Sequence, residues 1–89
     1  MKQVHVFSSG NVHGVGFRFF VKSWARTYRV VGWVRNLDDL RVEGVFAGEE
    51  KSVDLLLEKC RKGPFLAEVK GVDVAEEKVD AALLDFRVV

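Results

Sequence analysis

Cysteine and proline each occur once in the 89 residues, as Cys60 and Pro64, and histidine twice, as His5 and His13. One cysteine excludes an internal disulfide and a cysteine-rich zinc site, and two histidines well apart in sequence make a poor basis for a protein-only metal site. No apolar run approaches the ~20 residues that a membrane-spanning helix needs, and the opening MKQVHVFSSG lacks the apolar core of a signal peptide. A soluble, cytoplasmic protein without a membrane partner or bound metal is therefore expected. Low-complexity stretches, internal repeats and Pro/Gly/Ser linkers are also missing, so one domain over residues 1–89 is expected, and 48 % hydrophobic residues suffice for one small core. The last absence concerns charge. Residues 1–36 hold six basic side chains and no acid, whereas 37–89 hold eight basic and thirteen acidic ones, a balance of −5 hidden beneath a net charge of +1. A site for an anion belongs in the acid-free part.

Residues Gln3 to Ser8 alternate and are rich in Val and Phe, which predicts a strand closed by a turn over Ser8, Ser9, Gly10 and Asn11. From Phe17 the period changes: Phe17, Phe20, Val21, Trp24, Ala25 and Tyr28 share one helical face, and Arg18, Lys22, Arg26 and Arg29 another. Residues Val30–Asn36 and Arg41–Ala47 predict a hairpin around Leu37–Leu40. Val53, Leu56, Leu57 and Cys60 then define a second helix, with Glu49 and Glu50 in front, Lys59, Arg61 and Lys62 behind, and Gly63-Pro64 as the stop. Val69–Glu76 and Leu84–Val89 supply two more strands. The order βαββαβ plus a C-terminal strand predicts an α+β, ferredoxin-like sandwich with a mostly antiparallel sheet and both helices on one face.

The segment Gly10-Asn11-Val12-His13-Gly14-Val15-Gly16-Phe17-Arg18 is the most informative. Its three glycines allow consecutive N–H groups to converge on an oxyanion, and the following helix adds unpaired N–H groups and the positive end of its dipole. Arg18 in the first turn opposes that dipole by up to ~1 kcal/mol, a cost that an anion between loop and guanidinium would reverse. The same residues also fit a bare tight turn followed by a solvated basic stripe. Dinucleotide and NTPase fingerprints do not fit, because Phe19 stands where a third glycine is needed and no GK[ST] occurs.

Gly10 to Arg18, followed by Gly32-Trp33-Val34-Arg35-Asn36, resembles the signature pair of the acylphosphatase family, and the likeness continues through Gly63-Pro64 to the ending Asp85-Phe86-Arg87-Val88-Val89. The resemblance implies the ferredoxin-like fold, hydrolysis of the carboxyl-phosphate bond of a small acyl phosphate, and no metal or organic cofactor. It also implies roles. Arg18 would bind the phosphoryl group, the backbone amides of Asn11, Val12, His13, Gly14, Val15, Gly16 and Phe17 would cradle its oxygens, and Asn36 would orient the attacking water. Inorganic phosphate would be product and competitive inhibitor, and the acting unit a monomer. Asn36 can accept from and donate to water but cannot serve as a conventional base; the resemblance implies that a substrate oxygen can take the proton. In isolation Asn36 reads as a turn residue.

Three positions depart from the family pattern. His13 replaces the usual glutamine, Leu40 a glycine common in the hairpin, and Phe65 a frequent second proline. As a loop histidine, His13 is expected to have an incidental partner; Cys60, Trp24 and Trp33 read as packing residues. Two other classes stay open. One is a non-catalytic anion-binding module of the same fold. The other is an RNA-binding module, since His13 to Phe20 superficially resembles the aromatic RNP1 motif of RNA-recognition motifs. Against the latter, RNP1 belongs on the third strand, which offers only Phe46.

Overall fold

A computed structural model describes residues 1–89. Along the chain run β1 (Lys2–Asn11), α1 (Phe17–Thr27), β2 (Val31–Asn36), β3 (Val42–Gly48), α2 (Glu50–Lys62), β4 (Glu68–Glu77) and β5 (Phe86–Val88). The five strands form one sheet in the order β4-β1-β3-β2-β5, antiparallel except for the β2–β5 pair. The predicted α+β, ferredoxin-like order with a C-terminal strand is the observed one.

Alternation along the strands decides which face meets the helices. Val4, Val6, Val34, Val42, Phe46 and Phe86 point to one side, where they join Phe17, Val21 and Ala25 of α1 and Val53, Leu56, Leu57 and Cys60 of α2 in a continuous core. These helical residues are those whose spacing predicted an apolar face. Removing each from water contributes roughly 1.5–3 kcal/mol for the larger side chains. Burial pushes the Cys60 thiol up to about 12, so it packs as an apolar group. Trp24 is half-buried, stacks on Tyr28 with ring centroids 5.4 Å apart, and carries the Lys59 ammonium 3.9 Å above its ring.

One local expectation fails. Ser8 to Asn11 do not turn but prolong β1, pairing with β4 from Ser8↔Val72 to Asn11↔Glu68 across a register shift between Ser9 and Gly10. A Cβ on Gly10 would stand 2.2 Å from the Glu68 carbonyl oxygen. That glycine therefore permits close approach of two strands and belongs to the sheet edge, not to an anion loop. Turn-prone residues were overridden here by an available edge partner, which sequence-local reasoning does not see.

Candidate active site

β1 hands the chain to α1 through Val12–Gly16, and the termini of several strands gather at that same end: the start of β4, the end of β2 and the start of β3. Asn36↔Val42 and Val42↔Ser8 are successive pairs across the sheet. Asn36 thus stands two strand spacings, roughly 10 Å, from Ser8, on the helix-facing side.

Gly14 and Gly16 have φ of 69° and 76°, a left-handed backbone that only glycine adopts at low cost. Open space lies where a Cβ would project from either, so conformation and not crowding calls for glycine. The result is a run of free donors: no N–H group from His13 through Phe19 is donated to a backbone carbonyl. Gly16 caps α1 without a side-chain bond, and the first turn contains no acid. One of the amides assigned from the sequence already has a partner, and another lies in a strand. The Val12 N–H donates to the Gly10 carbonyl at 3.1 Å, with the Val12 side chain in the core, and Asn11 still runs in β1 opposite Glu68. The run of free N–H groups begins at His13.

Arg18 is half-exposed in the first turn of α1 and enters none of the chain's salt bridges. Asn36 closes β2 instead of sitting in the turn, and its Oδ1 is buried with no hydrogen-bond partner. A buried acceptor left unpaired costs about 1–3 kcal/mol, so a donor is wanted at that atom.

The His13 ring does have a defined partner: Nε2 lies 3.0 Å from the Arg41 carbonyl oxygen. That oxygen also accepts the Leu37 N–H at 2.8 Å, while the Leu40 N–H donates to the Leu37 carbonyl. Asp39 braces the hairpin, accepting from the Arg41 N–H at 3.1 Å and from its Nε at 2.8 Å. Those two bonds, the backbone one foremost, hold the Asp39 carboxyl below its usual range. Sequence reasoning missed this acceptor because a backbone carbonyl has no sequence signal. It also missed two acids that folding brings to this end, Glu68 opposite Asn11 and Asp39 in the hairpin. No group of three or more His, Cys, Asp and Glu side chains gathers as candidate metal ligands.

By class this is an α+β, ferredoxin-like sandwich with a run of free backbone N–H groups and one unpaired guanidinium at a strand-to-helix junction. The chain belongs to the acylphosphatase family, whose profile matches residues 4–88. It is 46 % identical over 88 residues to the acylphosphatase of Syntrophus aciditrophicus, covering 99 % of this chain and 92 % of that one. Among solved structures it is similar to the acylphosphatase from Bacillus subtilis, with a TM-score of 0.96 at 34 % identity, covering 100 % of this chain and 99 % of that one. It is also similar to part of full-length HypF in a phosphate- and nucleotide-bound form, with a TM-score of 0.86 at 27 % identity, covering 99 % of this chain and 12 % of that one.

Proposed function

We propose that this protein is an acylphosphatase that hydrolyses the carboxyl-phosphate bond of a small acyl phosphate, with Arg18 and the His13–Phe17 amides holding the phosphoryl group and Asn36 placing the water. The observation that carries the reading is the unbroken run of unpartnered N–H groups leading into an uncapped helix beside an unpaired guanidinium. Such donors are worth most where charge develops in the transition state. Water attacks phosphorus in line with the leaving group: the new P–O bond forms as the acyl P–O bond breaks, the bond pair departs with the carboxylate, and the water proton passes to a phosphoryl oxygen. Phosphoryl transfer of this kind asks the protein for position and charge stabilisation. Asn36 is half-buried with its Oδ1 closed to solvent, so its Nδ2 hydrogens are the groups that can hold a water, by donating to its oxygen, and no strong base is needed against a carboxylate leaving group.

Inorganic phosphate, the product, shares the oxyanion donors and is proposed as a competitive inhibitor. Cradle, Arg18 and Asn36 come from one chain, which supports a monomer as the acting unit, and the unpaired, buried Cys60 agrees with a reducing compartment such as the cytoplasm. An RNA-binding reading is disfavoured by the open sheet face, where Glu43, Asp73 and Glu77 lie beside His5 and Phe7, and by Phe46, which is buried on the opposite side.

Hydrolysis of acetyl phosphate by three proteins tests the proposal. Arg18→Ala is expected to lose at least about 10²-fold in kcat/KM and to weaken inhibition by inorganic phosphate. Asn36→Ala is expected to lose kcat on a similar scale while inhibition by phosphate changes less than about threefold. Parent-level turnover in Arg18→Ala would sink the assignment.

A further inference from the structure

The loop that would hold phosphate and the strand end that would hold water belong to different elements, and β3 lies between β1 and β2. In-line attack depends on their relative placement. A single side-chain hydrogen bond joins them: His13 Nε2 to the Arg41 carbonyl oxygen, 3.0 Å. A carbonyl only accepts, so Nε2 carries the hydrogen.

The acceptor is well fixed. Leu37 N–H, adjacent to Asn36, bonds to the same oxygen, Asp39 closes a two-point bond onto Arg41, and the Arg41 guanidinium lies 4.7 Å over the Phe7 ring. On the donor side, His13 stands immediately before Gly14, the first left-handed residue of the loop. We propose that His13 is a positioning residue whose imidazole clasps the anion loop to the hairpin that follows Asn36, setting the separation between phosphorus and the attacking water. The inference rests on the roles proposed above for the loop, Arg18 and Asn36. It assigns the His13 side chain a task separate from that of its backbone N–H.

A glutamine can present an amide N–H to the same carbonyl, whereas methionine keeps the bulk and has no donor. The test compares His13→Met and His13→Gln by acetyl phosphate turnover, with inorganic phosphate as the binding probe. His13→Met is expected to lose roughly 10- to 100-fold in kcat, the scale of an ångström-sized misplacement, while inhibition by phosphate moves less than about threefold. His13→Gln is expected to recover most of that loss. In an Asn36→Ala background His13→Met should have little further effect on kcat, because the tether then positions nothing.

Equal kcat in the Met and Gln variants would overturn the proposal. So would a weakening of phosphate inhibition as large as the loss of kcat, which would mean that the imidazole shapes the cradle alone. Parent-level turnover in His13→Met with Arg18→Ala inactive removes the tether and leaves the site standing; parent-level turnover in Arg18→Ala removes both.

Discussion

At Leu40 the hairpin after Asn36 takes a left-handed conformation, φ 74°. Leu40 N–H bonds back to the Leu37 carbonyl and Leu37 N–H to the Arg41 carbonyl, the pattern of a three-residue loop whose last position favours glycine. A branched L-residue there costs roughly 1–2 kcal/mol, and the Leu40 side chain, 66 % exposed, recovers little by burial. Leu40→Gly is therefore expected to stabilise the protein by up to about 1 kcal/mol after the added freedom of the unfolded chain is subtracted. Thermal denaturation should show a Tm raised by a few degrees; an unchanged or lower Tm would mean that the hairpin does not hold Leu40 under strain. The family resemblance showed that a glycine is usual at this position, but the turn type emerged only from the backbone.

Helix α1 begins without the features that ordinarily stabilise a helix start. Its N-cap is a glycine with no capping side chain, its first turn has no acid, and Arg18 faces the positive end of the dipole. A helix left this way is weaker by itself and better suited to an anion. Phe19, also in the first turn and 66 % exposed, provides a test. Phe19→Glu should stabilise the fold by about 0.3–1 kcal/mol through the dipole while weakening inhibition by inorganic phosphate severalfold, since a carboxylate now competes for the same field. Opposite signs in urea denaturation and phosphate inhibition are the expected pair; a variant both more stable and equally well inhibited would show that the helix end contributes nothing to anion binding. Periodicity in the sequence predicted this helix and its start at Phe17, because the apolar face is local information. The free amides were legible only as a consequence of where glycines stood.

Across the whole sheet, the face away from the helices is held by a charged belt that no single element contains. His5 of β1 sits with Nε2 at 2.6 Å from Glu43 of β3 and Nδ1 at 3.3 Å from Glu77 of β4, and Arg35 of β2 donates to Glu43 at 2.6 Å. Gln3 adds a bond to Glu77 at 2.6 Å. Burial of Glu43 by itself would push its carboxyl up; hydrogen bonds from His5 and Arg35, aided by their charge, outweigh this and hold it below its ordinary 4.5. In acid the unfolded chain then binds the proton more readily than the folded one. The stabilisation from this group is complete above about 4.5 and is lost as pH falls through the lower folded value. Glu43→Gln should cost about 1–3 kcal/mol at neutral pH through weakened charge-assisted bonds and should flatten the acid side of the stability curve. Urea midpoints measured from about pH 7 to pH 3 check this; parallel curves for parent and variant would refute the linkage.

Hydrophobic spacing along the chain determined the element order, the apolar faces of both helices and the fold class, because burial at fixed periods is written residue by residue. The Gly-rich segment and Arg18 stood out for a related reason, since backbone freedom and charge are local, whereas Asn36 was singled out only by the resemblance to the family signature and by itself reads as a turn residue. Tertiary structure decided what depended on neighbours distant in sequence. It placed Gly10 in the β1–β4 pairing and gave the Val12 N–H a partner in the Gly10 carbonyl. It left Asn36 Oδ1 buried without a donor and gave the His13 ring a carbonyl 28 residues away. The acid-free opening stretch was a true property of the chain but not of the space around the loop, because strand pairing and the hairpin bring Glu68 and Asp39 to that end. Charge counted along a sequence measures covalent neighbours, whereas an anion responds to spatial ones.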